Sequence, residues 1–424
     1  MDTARPSLRA PVGGSERALA PDLARGFMLL LIVLANTPFY LWGRERGLTT
    51  FHPVDGSVPD QIVQAVIITC VDLRVYPMFA FLFGYGMVQL LLRQEEAGAP
   101  RQAALALLRR RNLWLLVFGF VHALLLWMGD ILGAYGFAGL VLGALFLRRS
   151  NRVLLVWAGI GTSVLAIVSV LGVVGASIAA AADAPAQTAG GTDFMAMMTA
   201  NVSETDPLAA AGQRAMLWPL IAVFQGVLTI TVPVAILLGF WAARNRILEE
   251  PHRHLPLLRR VAIGGIAFAW LGGLPHALHH VDILPLTESV SWVFSTTQSF
   301  TGLLGGLGYA ALFGLIGYRL QGRVRHGLAV TSVAAVGKRS LSCYLAQSVI
   351  CAPLLSAWGL GLGAVMGSAQ MAAFAVATWL VTVAGAYALE RADRRGPAEV
   401  LLRRLSYPGS ATAREGSATG DTTR

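Results

Sequence analysis

The sequence predicts an all-α, polytopic integral membrane protein: a helical bundle of about ten transmembrane helices, with both termini on the same side. Three observations carry this. Of the 424 residues, 55% are hydrophobic and only 13% charged, where a soluble domain has roughly 25% charged residues. Apolar stretches recur at the length of about 20 residues that a helix needs to cross roughly 30 Å of hydrocarbon. The 33 basic residues, all but one of them arginine, punctuate the ends of those stretches and form no patch. The net charge of +10 therefore speaks for membrane topology and against a nucleic-acid partner.

In chain order the spans are expected near 26–43, 72–92, 112–129, 131–147, 153–179, 216–241, 259–279, 297–318, 339–358 and 369–390. The region 61–92 is too long for one upright span, so 61–71 reads as a short interfacial helix or an oblique entry. Gly129-Asp130 makes a tight turn between the third and fourth spans. This divides the chain into a polar segment 1–24, a first helical half 25–180, an extracytoplasmic flexible loop 181–215, a second transmembrane half 216–407 and a disordered tail 408–424. The loop is rich in Ala, Gly and Thr, and the tail in Ser, Thr and Gly. The small residues Ala18-Leu19-Ala20 precede the first apolar run, which does not fit a cleavable signal peptide, so the first helix is expected to be retained.

Sorting the basic residues by loop places twenty-nine on one side, three (Arg44, Arg46, Arg214) on the other, and Arg74 within a span. By the positive-inside rule both termini are then cytoplasmic. Cys70, Cys343 and Cys351 have neither disulfide nor zinc-ligand spacing and read as packing residues.

The candidate chemistry lies in Gly119-Phe-Val-His122 to Gly129-Asp130-Ile-Leu-Gly-Ala-Tyr135. From 112 to 147, His122 and Asp130 are the only ionisable side chains besides Tyr135. Each charge there costs roughly 2.5–3.5 kcal/mol on insertion scales, so such groups point to function. His122 falls about seven residues, roughly 10 Å, below the outer end of its span. Asp130 is at the outer mouth, either as an N-cap of the next helix or as a functional carboxylate. Arg74 and Asp72 lie at a similar level, with Arg74 either snorkelling, pairing with a carboxylate or serving a site. A neutral buried imidazole is suited to act as general base on a hydroxyl or amine.

His52, in Thr50-Phe-His-Pro-Val-Asp55, is the second candidate base. His276, His279 and His280 share a helical face at i, i+3, i+4, but no HExxH-like motif surrounds them and interfacial polarity is the default; no metal is expected. At the cytoplasmic edge, Asp22-Leu-Ala-Arg25-Gly26 opens the first span, which also holds the buried amide Asn36. Gly337-Lys338-Arg339-Ser340 leads into a polar stripe of Ser340, Tyr344, Gln347 and Ser348, which lines either a helix contact or a cavity. No P-loop, nucleophile elbow or dinucleotide fingerprint occurs in a supporting context.

These pieces resemble the YeiB-like membrane proteins, whose C-terminal half is called domain of unknown function 418. The matching motifs are Asp22-Leu-Ala-Arg25-Gly26-Phe with Asn36; Arg74-Val-Tyr-Pro-Met-Phe79 through Gly84-Tyr-Gly86; Gly119-Phe-Val-His122 through Gly129-Asp130 and Tyr135; Gly337-Lys338 with Tyr344-Leu-Ala-Gln347-Ser348; and Gly396-Pro397 through Arg403-Arg404-Leu-Ser-Tyr407. The resemblance implies an integral protein of the bacterial cytoplasmic membrane. It also implies a distant similarity to transmembrane acyltransferases, among them the heparan-glucosaminide N-acetyltransferases and the acyltransferase-3 group. Those pass an acyl group from cytoplasmic acyl-CoA to an acceptor on the opposite face, using a membrane-embedded or outer-loop histidine. The likeness rests mainly on the Asp-x-x-Arg-Gly opening and Asn36, and His52 would correspond to the outer-loop histidine.

Two readings follow. In an acyltransferase, Arg25, Lys338 and Arg339 would hold the acyl-CoA phosphates, and His122 or His52 would be the base. Arg74 would stabilise the oxyanion, Asp130 would orient the histidine or the acceptor, and Asn36, Tyr135, Tyr344 and Gln347 would line the substrate path toward a small-molecule or glycan acceptor. In a transporter the same His122, Asp130 and Arg74 would form a proton or substrate relay. A purely structural or sensory protein leaves His122 without a purpose. Nothing in the pattern specifies an oligomeric state.

Overall fold

The computed structural model describes residues 19–47, 49–182, 191–287, 290–321 and 326–407. Among these the chain is helical, with no strand beyond an isolated bridge between Arg46 and Pro53, as the composition predicts. The helices are α1 (Leu19–Asn36), α2 (Val58–Cys70), α3 (Val75–Glu96), α4 (Arg101–Leu125), α5 (Ile131–Phe146), α6 (Asn151–Ala181), α7 (Gly191–Ser203), α8 (Pro207–Val223), α9 (Thr231–Arg244), α10 (Leu255–His280), α11 (Val293–Leu320), α12 (Leu328–Lys338), α13 (Ser340–Leu355), α14 (Ser368–Arg391) and α15 (Pro397–Ser406). The tail 408–424 and most of the segment 1–24 lie outside the described residues.

Among the described residues six helical stretches are long and apolar enough to cross a membrane, or seven when the α8–α9 pair is taken as one bent span. Ten continuous crossings are therefore not what the helix lengths show. Each expected span is helical, but α5 and α13 have 16 residues each, about 24 Å and short of a 30 Å core. The expected span 216–241 is broken: a π-turn over Phe224–Leu228 and Ile230 at φ 55° bend the two helices by 53°. Pro233, in the first turn of α9, has no N–H to carry the helix ladder back across the break. The stretch 61–71, expected as a short interfacial helix or an oblique entry, falls largely in the separate helix α2, tied to α14 by Asp60, which accepts from Ala369 N–H at 2.8 Å.

The stretch 181–215, expected as a flexible loop, instead forms α7 and the start of α8 over its described part; 183–190 lie outside the described residues. Its Ala and Met residues are good helix formers, and Asp206 caps α8 by accepting from Leu208 N–H at 2.8 Å ahead of Pro207.

Packing puts α1 and α3 at the centre and α6, α10 and α14 at the rim. The most apolar windows of α1 and α3 are 56% buried, those of α6 and α14 only 22%, and α6 presents Val156, Ile160 and Leu171 outward, as a lipid-facing helix should. The α1–α12 crossing is close because Gly26 sits on the Val333 carbonyl and Gly337 on that of Asp22, where a Cβ would collide. That crossing, with α3, α4, α13 and α15, frames the site.

Candidate functional site

His122, one turn before the end of α4, and Asp130, the residue before α5, form a buried pair. Asp130 is fully buried and His122 is 3% exposed. Asp130 Oδ1 lies 2.8 Å from His122 Nδ1, while Oδ2 accepts from Gly133 N–H at 2.6 Å and so caps α5. A carboxylate only accepts, so Nδ1 carries the hydrogen, and in the neutral ring Nε2 is the nitrogen left with a lone pair. That nitrogen is buried and has no hydrogen-bond partner among the described residues. The expected alternatives for Asp130, cap or functional carboxylate, are both realised in one side chain.

The turn between the two helices is covered, not open. Arg214 of α8 is buried and donates to the carbonyls of Ala123 and Leu124 at 3.0 Å, closing the C-terminus of α4 as a cation does favourably. Trp127 stacks on Tyr40 at 4.9 Å between ring centroids, and Asn201 of α7 approaches Met128. Charge sorting placed Arg214 in an outer loop; its apolar flanks, Ala215-Met216-Leu217-Trp218, were the signal that it is inside.

Arg74 does not join this pair. It is fully buried, and its guanidinium donates to the carbonyls of Ile68 (3.1 Å), Ala269 (2.7 Å) and Asp72, and to Gln298 Oε1 (2.6 Å). These partners belong to α2, α10, α11 and the α2–α3 turn. Gln298 in turn meets His276, which contacts Thr49 Oγ1 at 3.0 Å. His52, expected as an outer-loop histidine and second candidate base, is 2% exposed and bonded through Nε2 to Asp72 Oδ2 at 3.0 Å. This second cluster therefore holds Arg74, His52, Asp72 and His276 together, while His122 and Asp130 stand with α4, α5 and α13. Nearby, Arg46 gathers the carbonyls of Phe51, Phe39 and Leu41, and burial lowers its pKa to about 10. His276 and His279 both stack on Phe294, and no group of three or more metal-ligating side chains is found among the described residues.

A cavity of about 660 Å³ enters the bundle at the end carrying the start of α1, the end of α3 and the α12–α13 junction. Its lining holds eight basic residues, among them Arg25, Lys338 and Arg339, against four acidic ones, Asp22, Glu390, Asp393 and Glu399. Deeper in, the walls turn apolar and aromatic through Phe79, Phe83, Leu132, Tyr135 and Tyr344. Tyr135 is fixed there by a 2.8 Å bond to the Tyr76 carbonyl and by stacking on Phe79 at 4.8 Å. The Tyr344 ring is 5.1 Å from that of His122, and its hydroxyl accepts from Ile131 N–H at 3.4 Å. The His122–Asp130 pair thus stands directly behind the inner wall.

Of the remaining expected residues, Gln347 is buried and donates to the Leu29 carbonyl at 3.3 Å, joining α13 to α1. Asn36 ends α1 and, like Gln347, does not line the cavity. The sequence reading missed α15 as a cavity wall. Glu399, Arg403 and Tyr407 all line it, and their i, i+4, i+8 spacing was the available signal.

Residues 242–409 match the family model described as "Protein of unknown function (DUF418)". Over 420 residues the chain is 26% identical to the uncharacterized protein YxaH of Bacillus subtilis (strain 168), covering 94% of this chain and 96% of that protein. Over 415 residues it is 25% identical to the uncharacterized protein YeiB of Escherichia coli (strain K12), covering 94% and 98%. A third relative, the uncharacterized 39.9 kDa protein in the amylase 3'region of Bacillus acidopullulyticus, is 34% identical over 132 residues, 31% of this chain and 35% of that protein. No solved structure matches. The DUF418 match over the second half, the full-length similarity to YxaH and YeiB and the helical, membrane-type architecture together describe a multi-pass membrane protein that carries a DUF418 segment and is similar throughout to YxaH and YeiB.

Proposed function

We propose that this protein transfers an acyl group from a thioester donor in the basic-ended cavity to a hydroxyl or amine acceptor, with His122 as general base. The observation that carries this is the buried pair with a free Nε2, one aromatic ring behind the inner wall of a cavity whose mouth is cationic. The positive-inside distribution turns that mouth toward the cytoplasm, where CoA thioesters are found. A volume near 660 Å³ is in the usual range for small-molecule sites, roughly 300–1,000 Å³.

The chemistry balances with the residues at hand. The acceptor gives its proton to His122 Nε2 as its oxygen or nitrogen attacks the thioester carbonyl. The C–S bond then breaks, and the imidazolium returns the proton to the departing thiolate. Asp130 holds the tautomer and stabilises the imidazolium. Tyr344, whose hydroxyl takes the Ile131 N–H and keeps its own hydrogen to donate, faces the developing oxyanion in the role first assigned to Arg74. A relay joining His122, Asp130 and Arg74 has no such support, since Arg74 is bonded elsewhere.

The test uses the purified protein in nanodiscs with radiolabelled acetyl-CoA or palmitoyl-CoA and a cell-envelope extract. Label is expected to pass to an envelope component with wild type and not with His122→Gln. Full activity of His122→Gln overturns the base, and no transfer from either donor overturns acyl transfer.

A further inference from the structure

The basic residues of the cavity fall into two sets according to what they already hold. Lys338 Nζ donates to Glu390 Oε1 at 2.6 Å. Arg339 is bonded to Glu390 Oε2 at 2.7 Å and to the Arg394 carbonyl. Both are therefore already engaged within the fold, sharing the one carboxylate of Glu390, although they looked from the sequence like the donor's anchors. Arg93, Arg111 and Arg403 line the same cavity, and none of them has a carboxylate within ion-pair distance among the described residues.

Arg111 of α4 and Arg403 of α15 both lie close to Tyr407, and Arg93 of α3 lines the same cavity. Arg111 is close enough to Arg25 for the two to repel. Burial pushes the Tyr407 phenol up, while Arg111, Arg403 and Arg395 around it act the other way. Eight basic residues against four acidic ones leave a partly buried cleft with an excess of positive charge, which raises its potential and favours an anion there. Guanidinium groups match phosphate geometry through paired N–H donors.

We propose that Arg93, Arg111, Arg403 and the Tyr407 hydroxyl form a phosphate subsite. It holds the phosphate-bearing end of an amphiphile whose other end lies along Phe79, Phe83 and Leu132 toward Tyr344. In taking that amphiphile to be a CoA thioester, the assignment rests on the acyl-transfer reading. An anionic phospholipid headgroup carries the same chemistry from a different source. The subsite also explains why α15 is pinned in place. Glu399 accepts from the N–H groups of Leu341 (2.8 Å) and Ser342 (3.2 Å) at the start of α13, which fixes Arg403 and Tyr407 against the cavity.

The experiment measures coenzyme A binding by calorimetry to the full chain in phosphatidylcholine nanodiscs. Phosphatidylglycerol retention is followed in parallel by native mass spectrometry. Arg111→Gln and Arg403→Gln are each expected to weaken coenzyme A binding about tenfold or more, as loss of a charge-assisted contact does. Arg260→Gln, exposed on α10 and outside the cavity, is expected to change nothing. Arg403 lies on a surface helix, so that variant reports even if Arg111→Gln folds poorly. Coenzyme A bound equally by wild type and both variants overturns the subsite and leaves acyl transfer standing. Arginine-dependent retention of phosphatidylglycerol without coenzyme A binding supports the subsite and removes the CoA thioester. Neither ligand depending on the arginines overturns the subsite.

Discussion

Asp130 binds His122 with one carboxylate oxygen and the backbone of α5 with the other, Oδ1 at 2.8 Å from Nδ1 and Oδ2 at 2.6 Å from Gly133 N–H. The orientation of the candidate base is thereby coupled to the start of a helix. Neither can shift without the other, and the arrangement separates the chemical role of the carboxylate from its structural one.

Asp130→Asn keeps an acceptor for the Gly133 N–H, and Asn is as good an N-cap as Asp. It removes the charge that stabilises the imidazolium and permits the wrong tautomer, so transfer activity is expected to fall by about three to four orders of magnitude with little loss of stability. Asp130→Ala removes the cap as well, at about 1 kcal/mol, and leaves the His122 Nδ1–H without a partner, at about 1–3 kcal/mol more. Thermal unfolding in detergent together with the label-transfer assay checks both. Equal stability of the two variants would refute the double role.

Gly119 lies where α4 meets the start of α5, and a Cβ there would collide with Gly133 N and Asp130 Oδ2. Gly119→Ala is expected to force α4 and α5 apart, at about 1–3 kcal/mol, and to pull Asp130 away from His122. Activity per folded molecule should fall together with the melting temperature. An alanine variant with wild-type activity would show that the pair tolerates displacement.

How much of this could be read from the chain follows from what a linear pattern encodes. Depth along a span is legible, because 1.5 Å per residue converts position to height; azimuth around a bundle is not. His122 and Asp130 are eight residues apart across a tight turn, so their meeting was within reach of local reasoning. Arg74 was placed at a similar level but lies on another side, against α10 and α11. Lys338 and Arg339 looked available because Glu390, their partner, comes 52 and 51 residues later. The chain between 191 and 215 looked like a loop because its Ala and Gly content hid helix formers behind low complexity. The signal for the broken span at 224–230 is Pro233, which has no N–H to carry the helix ladder across the break.

Arg74 holds α2, α10 and α11 together through the carbonyls of Ile68 and Ala269 and the side chain of Gln298, and Gly273 makes room for it, since a Cβ there would collide with the guanidinium. Arg74→Ala leaves the Ile68 and Ala269 carbonyls and Gln298 without this donor in the interior, and a loss of more than about 3 kcal/mol is expected. Gly273→Ala should weaken the same clamp while leaving the arginine in the sequence. Both are expected to lower the denaturation midpoint while activity per folded molecule stays near wild type. A normal midpoint with lost activity would instead assign Arg74 to the chemistry.

The attachment of α15 gives the last expected outcome. Glu399 accepts from Leu341 N–H, Ser342 N–H and the Ser342 hydroxyl, and the Ser342 hydroxyl in turn accepts from Ala398 N–H at 3.0 Å. A carboxylate on backbone N–H groups at a helix start is favoured by the helix dipole as well as by the bonds themselves. Glu399→Ala removes these contacts at once, while the bundle keeps its own helix–helix packing. Hydrogen exchange is therefore expected to show amides of 397–407 losing protection by about tenfold or more, with α1, α3 and α4 unchanged. Because Arg403 and Tyr407 would then leave the cavity wall, coenzyme A binding should weaken in the same variant. Protection of α15 unchanged in Glu399→Ala would mean that its apolar face, through the buried Leu402, is sufficient to hold it against the bundle.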